Sequence, residues 1–151
     1  LGTIVGWVNS TLPQEKPKHL LGIGAPEDFF IAVENGVDTF DCVLASRIAR
    51  TSAVYTMSGR FNVSNQPYIR DFNPIDDECD CYTCTNYTRA YLCHLFRSKE
   101  MIAGTLATIH NERFIVRLVD QIRQSIIDGN FYDMKADFLG RYAHKSGQSR
   151  D

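Results

Sequence analysis

Three cysteines close together in the chain constrain its fold more than any other feature. Cys79, Cys81 and Cys84 lie in one short segment, and His110 follows downstream. Thiols in one tight loop are poorly placed to bond one another, because a disulfide needs specific Cα separations and dihedral angles. Zinc takes thiolate and imidazole ligands tetrahedrally, and a closed Cys₃His set leaves no position for water or substrate. The spacing therefore predicts a metal site that holds the fold and does no chemistry.

The fourth ligand of this site stays open on spacing alone. Cys93 and His94 are nearer in sequence than His110, and they lie in residues 87–96, whose apolar stripe is typical of a helix. Cys93 could simply extend that stripe, since a free cysteine packs like a small hydrophobic side chain. The remaining thiol, Cys42, lies in an apolar strand and is expected in the core.

Composition excludes some classes of protein. The 151 residues are 44% hydrophobic and 23% charged, which is ordinary for a globular domain. No apolar run approaches the roughly 18 residues that cross a bilayer, so we expect no membrane association. An odd number of cysteines with three in metal spacing favours a reducing compartment. The net charge of −2 does not indicate nucleic-acid binding, which would have to come from local basic clusters.

The first part of the chain predicts a strand–helix–strand unit after an N-terminal amphipathic helix. Residues 19–24 are a short apolar run closed by glycine, typical of a buried strand. Pro26 opens a helix that Asn35 and Gly36 end, and residues 37–44 form a second strand. Such units build parallel sheets. Two strands cannot complete one, so further strands must come from sequence outside this chain or from a partner.

The second part of the chain has a different pattern. Residues 53–63 alternate around Ser58 and Gly59, which predicts a hairpin. We expect a long helix to follow His110 and to end at Gly129, and a last helix to begin near Phe131.

Several of these segments together resemble the tRNA-guanine transglycosylases. The run Gly-Val-Asp-Thr-Phe-Asp-Cys-Val from Gly36, followed by Arg47 and Arg50, is similar to that family's active-site strand. Leu-Leu-Gly-Ile-Gly precedes it, and Thr-Arg-Ala-Tyr from Thr88 and the cysteine–histidine set follow it in the family's order. The resemblance covers nearly the whole chain and favours the bacterial type. It also favours His110 as the fourth ligand of one structural zinc.

The resemblance implies an α/β fold, the C-terminal part of an irregular (β/α)₈ TIM barrel with an inserted zinc-binding subdomain. Residues 1–52 would carry the last two barrel strands with their helices and the nucleophile. Residues 53–110 would form the hairpin and the zinc-binding subdomain. Residues 111–151 would be the C-terminal helices that close the barrel.

The family exchanges the guanine at the anticodon wobble position of tRNA for a 7-deazaguanine precursor of queuosine. The resemblance implies that an enzyme carboxylate attacks the glycosidic carbon, as in retaining glycosidases. Asp38 and Asp41 compete for this role and face opposite sides of a regular strand. The family's nucleophile directly precedes Cys-Val, which selects Asp41 and leaves Asp38 a structural or solvent-facing role. From the residues alone, a structurally satisfied carboxylate is the commoner outcome.

Substrate contacts are implied in the same way. Arg47 and Arg50 match arginines that bind the tRNA anticodon loop, although two arginines on a turn are often simply solvated. Leu21 and Gly22 match positions that line the base pocket. Most family members have Met at the position of Leu21 and Pro-Thr at Ala45-Ser46, so the loop after the nucleophile is expected to be looser here.

The remaining implications concern the state of the protein. Bacterial family members are homodimers in the cytoplasm, with the zinc subdomain near the interface. The family's general base lies in the N-terminal half, so we expect this fragment alone to be inactive. The alternative is a non-catalytic zinc-bearing partner subunit or an RNA-docking module of the same fold.

Overall fold

The computed structural model describes residues 1–146, with side chains as far as residue 142. Residues 147–151, the end of the segment predicted to close the barrel, lie outside the described residues. The elements in chain order are α1 Gly2–Thr11, β1 His19–Leu21, α2 Pro26–Glu34, β2 Thr39–Asp41, α3 Leu44–Ala49, β3 Ala53–Thr56, β4 Gly59–Asn62, a 3₁₀ turn Gln66–Tyr68, α4 Tyr82–Asn86, α5 Arg89–Arg97, α6 Met101–Ile127 and α7 Phe131–Ser146. Along the described part of the chain, none of the helices combines the length and apolar content that a bilayer crossing needs.

The chain divides into two compact units, Leu1–Leu44 and Ala45–Asp151. The first unit contains the predicted strand–helix–strand arrangement, and its strands β1 and β2 pair in parallel. The second contains the predicted hairpin, in which β3 and β4 pair antiparallel. The chain is thus a mixed α/β fold, and the boundaries predicted after residues 52 and 110 stay predictions.

In the first unit, the helix α2 forms where the sequence signals placed it. Pro26 stands at its start, Glu27 and Asp28 complement the positive end of the helix dipole, and Gly36 follows its end with φ of +89°. The Phe29 ring packs edge-on against Phe40 of β2, with ring centroids 4.8 Å apart. Aromatic pairs in this geometry contribute about 0.5–1.5 kcal/mol beyond their buried area.

The two parallel strands are less buried than the sequence predicted. In both, the central residue is half-buried and the two flanking residues are exposed, with Leu21 68% exposed. One face of the pair packs on its own helices through Leu20 and Phe40, whereas the face with Leu21 and Asp41 is open. The prediction of a buried strand is wrong for residues 19–21, because within the described part of the chain only one face of the pair has covering elements.

In the second unit, the helix α6 is the central element. It contacts β3, α4, α5 and α7, and α7 also contacts β4. Its buried residues recur at helical spacing along most of its length and include Ala103, Ala107, Phe114, Leu118 and Ile122. The prediction that this helix begins after His110 is wrong, since it begins at Met101. Packing of its first turns in the core outweighs the weak helix propensity of Gly104, Thr105 and Thr108.

Gly24 is required by close packing in the first unit. A Cβ at this position would lie 2.6 Å from Cys42 Cβ and 2.7 Å from its Sγ. Cys42 follows the end of β2 and is half-buried, so it packs against Gly24 at the margin of the core and not within a strand of the core, where it was expected.

Replacing Gly24 by Ala should therefore destabilise the chain by about 1–3 kcal/mol through overpacking. Gly140→Ala is the matched control, because a Cβ at Gly140, inside α7, would meet no atom within 4 Å. That change should be neutral or should stabilise by up to about 1 kcal/mol through helix propensity. Urea unfolding measures both, and equal effects of the two variants would contradict the packing argument.

Candidate functional site

The three cysteines and the histidine converge in the second unit. The ligand atoms of Cys79, Cys81, Cys84 and His110 all lie within 4.8 Å of one another. His110 Nδ1 is 3.2 Å from Cys84 Sγ and 3.7 Å from Cys81 Sγ. Cys79 is half-buried and the other three are buried. The first two cysteines precede α4 and the third lies in its first turn, while His110 comes from the middle of α6.

One hydrogen bond fixes which nitrogen of His110 faces the thiols. His110 Nε2 lies 2.7 Å from the Tyr55 carbonyl oxygen. A carbonyl can only accept, so Nε2 must carry the proton and Nδ1 keeps its lone pair. Metal-ligating histidines are oriented by this kind of bond from the other ring nitrogen. The imidazole is thus prepared to bind a metal through Nδ1.

The thiols share their protons unequally. The thiols of Cys79 and Cys84 bond to the Cys81 sulfur and lower the pKa of Cys81 to about 3. The backbone N–H of Cys84 also donates to this sulfur at 3.3 Å. Side-chain hydrogen bonds of Cys84 with Cys79 first, and then with Cys81, raise the pKa of Cys84 above its ordinary value. The contacts within the cluster therefore favour a thiolate at Cys81 and disfavour one at Cys84.

Helix α6 also holds the cysteine segment through side chains around the cluster. Arg113 forms a bidentate salt bridge with the Asp80 carboxylate, with N–O distances of 2.8 and 2.7 Å, and this lowers the pKa of Asp80 to about 2. Arg117 donates to the carbonyl of Glu78. Thr83 donates in turn from its buried hydroxyl to the Leu106 carbonyl of α6 at 2.6 Å. These contacts between protein groups hold the cysteine segment near His110 without involving a metal ion.

This geometry decides between the candidate fourth ligands. Cys93 is buried on α5, where its Sγ lies 3.8 Å from the Asn65 carbonyl, and His94 is exposed. Among the described residues, these two are not in the four-residue cluster, whereas His110 is. Three soft thiolates and an imidazole, without a carboxylate or an open position, are the donor set of a structural zinc site. The cluster therefore fits one structural zinc.

A different group of predicted site residues meets at the strand ends of the first unit. Leu21 is the register partner of Asp41 in the parallel pair. Gly22 extends the pairing by donating its N–H to the Asp41 carbonyl at 2.7 Å. Gly22 has φ of +74°, and a Cβ there would meet no atom within 4 Å, so glycine serves the backbone conformation and not a close contact. The Asp41 side chain is exposed beside Leu21 and Gly22.

Asp38 has a structural role at the other end of the strand. Its carboxylate accepts the backbone N–H of Lys18 at 2.7 Å, and its own N–H donates to the Lys18 carbonyl at 2.9 Å. These two reciprocal hydrogen bonds begin the parallel ladder. They agree with the structural role expected for Asp38, since Asp41 was the residue matched to the family's nucleophile.

Arg47 lies in the last turn of α3 and Arg50 follows its end, and both side chains are exposed. Sequence reasoning missed the residue that holds this helix. Asn111 is fully buried on α6, and its amide bonds to the carbonyl of Ala45 in α3. The sequence did contain a signal for its burial: Asn111 lies four residues after Ala107 and three before Phe114, which is the spacing of the buried face of a helix.

Comparison with known proteins identifies the family of this α/β chain with its Cys₃His site. The family model described as Queuine tRNA-ribosyltransferase matches residues 1–144. A queuine tRNA-ribosyltransferase of Caldanaerobacter subterraneus subsp. tengcongensis is 48% identical over 92% of this chain and 37% of its own length. The protein of that name from Dictyoglomus turgidum is 46% identical over 97% and 38%. The one from Bacillus subtilis is 42% identical over 99% and 39%.

The chain belongs to the queuine tRNA-ribosyltransferase family. It spans about 35–40% of the length of the curated relatives it matches, and these relatives are bacterial.

The site analysis predicts that the chain binds about one zinc and that Cys81→Ser loses it. The unfolding midpoint of this variant should fall by about 10 °C or more, because structural zinc binding contributes several kcal/mol to folding. Cys93→Ser is the matched control, since Cys93 is also buried but lies outside the cluster. It should keep the zinc. Elemental analysis and thermal unfolding check both variants, and full zinc content in Cys81→Ser would contradict the assignment.

Proposed function

We propose that this chain is part of a tRNA-guanine transglycosylase, which exchanges guanine at the anticodon wobble position for a 7-deazaguanine precursor of queuosine. Family membership and the names of the relatives support this. The observation that carries it is the register of the parallel strands, with Leu21 beside Asp41 and Gly22 bonded to Asp41. The candidate nucleophile and the candidate base pocket therefore share one strand edge.

Asp41 would act as the nucleophile. One carboxylate oxygen attacks C1′ of the wobble ribose and forms a C–O bond, while the bond from C1′ to guanine breaks and the base leaves with the electron pair. A nitrogen of the incoming deazaguanine then attacks C1′ and releases the carboxylate. Two inversions retain the configuration, as in retaining glycosidases. An exposed carboxylate at the carboxyl end of a parallel strand suits this step, because barrel active sites gather at these ends.

Leu21 and Gly22 would contact the base. The absence of a Cβ at Gly22 leaves open space above the backbone, so a flat ring can approach it. Leu21, exposed in this chain, would supply apolar contact to one side of the ring. The proton donor to the leaving guanine would come from sequence outside this chain, so the fragment alone would lack activity.

In the full-length enzyme, Asp41→Asn should lower base exchange by about 10³-fold or more, because the amide cannot act as the nucleophile. Asp38→Asn, the matched control, should keep the chemistry and act mainly on stability. Denaturing gel electrophoresis after incubation with tRNA and a base analogue unable to displace the carboxylate detects the covalent species.

The expected result is a shifted band in the native enzyme and in Asp38→Asn that is lost in Asp41→Asn. A band that persists in Asp41→Asn would show that the wrong carboxylate was chosen. A native enzyme that binds tRNA and never forms the band would instead favour the non-catalytic RNA-docking module.

Arg47 and Arg50 would bind phosphates of the anticodon loop. Both are exposed and lie three positions apart in sequence, on and directly after α3. Planar guanidinium groups suit phosphate oxygens. Because the chain has a net charge of −2, its attraction for tRNA must come from local positive groups such as these.

Arg47→Ala in the full-length protein should weaken tRNA binding and reduce the slope of log affinity against log salt by about one. Arg60→Ala on β4 is the control, since Arg60 is exposed but not predicted to bind tRNA. Binding measured at several salt concentrations checks this. An unchanged slope in Arg47→Ala would mean that this contact does not exist.

The fold implied for the whole protein is a TIM barrel in which β1 and β2 are two of the eight strands. Their parallel pairing and the open face that carries Leu21 support this proposal. The proposed location is the cytoplasm, where a reducing environment keeps thiols available to zinc.

A homodimer is also proposed, with its interface near the zinc cluster. Tyr82, Tyr87 and Tyr91 form an aromatic patch on α4, α5 and the link between them, with Tyr87 and Tyr91 stacked at 5.1 Å. Tyr82 is 56% and Tyr91 41% exposed, and exposed tyrosines are enriched in interfaces. Tyr91→Glu should shift the full-length protein toward monomer in light scattering at micromolar concentration. A native protein that is already monomeric would contradict the proposal.

A further inference from the structure

The amide of Asn111 is a buried polar group that neither the metal cluster nor the proposed chemistry uses. It is 0% exposed on the apolar face of α6. Its Nδ2 donates to the Ala45 carbonyl at 3.1 Å and to the Ala53 carbonyl at 3.0 Å, and its Oδ1 accepts the Tyr55 N–H at 3.1 Å. An amide buried among apolar side chains is costly unless it is bonded, so these three partners define what the residue does.

The partners of Asn111 belong to the two elements that flank Arg50. Ala45 is in the first turn of α3, the helix that carries Arg47. Ala53 and Tyr55 belong to β3, which begins shortly after Arg50. The amide thus binds the chain on both sides of the two arginines.

A second contact of α6 lies against Arg50 itself. A Cβ on Gly104 would be 3.8 Å from both the Cα and the Cγ of Arg50. Ala49, Ala103 and Ala107 are buried in the same core cluster, and their small side chains let this part of the chain approach α6. Two residues of α6 therefore support the segment that carries the arginines: Asn111 bonds to it, and Gly104 lies beside it.

We propose that Asn111 is a positioning residue for the tRNA-phosphate contacts of Arg47 and Arg50. It fixes the backbone of α3 and β3 on α6, so that the two guanidinium groups are presented at a set spacing. Paired contacts of this kind need their supporting backbone held to about 0.5 Å. The inference rests on the proposed phosphate-binding role of the arginines.

The test uses the full-length protein with Asn111→Leu, which keeps the branched four-atom outline of the side chain and removes all three hydrogen bonds. Because this variant leaves buried groups unpaired, it could fail to fold. Gly104→Leu therefore perturbs the arginine segment independently: leucine favours a helix more than glycine does, and its side chain exceeds the space beside Arg50. Thr105→Leu, exposed on the same turn, is the matched control.

Zinc content and thermal unfolding report the fold, while the salt dependence of tRNA binding reports phosphate contacts. We expect Gly104→Leu to retain zinc and its unfolding midpoint, yet to reduce the salt slope by about one to two. Folded Asn111→Leu should show the same loss, and Thr105→Leu none. Adding Arg47→Ala to Gly104→Leu should reduce the slope by less than Arg47→Ala does alone, because the two changes act on one contact.

The outcomes separate this inference from the function on which it rests. If Arg47→Ala lowers the slope and Gly104→Leu leaves it unchanged, the positioning role is overturned and phosphate binding stands. Full additivity of Gly104→Leu with Arg47→Ala also overturns it. If Arg47→Ala and Arg50→Ala both leave the slope unchanged, the phosphate contacts themselves fail, and the positioning role falls with them.

Discussion

The hydrogen bond from His110 to the Tyr55 carbonyl is the interaction on which the second unit depends. It decides the tautomer of the imidazole, and thereby which nitrogen faces the thiols. The next residue, Asn111, accepts the N–H of the same Tyr55. Two consecutive residues of α6 therefore hold both polar groups of one residue of β3. Strand and helix are locked in one relative register at the point where the metal ligands meet.

The metal cluster and the proposed chemistry use different residues of the chain. A cluster with four protein ligands has no free position, so it can contribute only folding energy and rigidity. The candidate nucleophile lies instead on a short strand of the first unit, with its carboxylate exposed. A carboxylate attacking a sugar carbon requires no metal-activated water, so the two sites need not share atoms. What α6 can offer is a rigid support for Arg47 and Arg50, the residues proposed to bind RNA.

The sequence predicted best what is decided locally. The bounds of α2 follow from Pro26 at its start and Gly36 after its end, and the hairpin follows from alternation around Ser58 and Gly59. The choice between His110 and Cys93 depends instead on which helix faces the cysteine segment, and spacing cannot supply this. The missed start of α6 has a similar cause, because core packing overrode the weak propensity of Gly104. The spacing of Asn111 on the buried face of α6 could indicate its burial, but its role depends on partners in α3 and β3 that the sequence does not identify.

The contacts around the cluster also differ in how they respond to acid. The pairing with Arg113 holds the pKa of Asp80 at about 2, below its ordinary value. A carboxylate with a lowered pKa stabilises the folded state above its ordinary pKa and loses that contribution only as pH falls through the lowered value. Metal binding requires deprotonated ligands, so acid weakens it as the ligands take up protons. In mildly acidic solution the Asp80–Arg113 pair therefore stays charged, while the metal ligands already begin to take up protons, so acid acts on the metal before it acts on this ion pair.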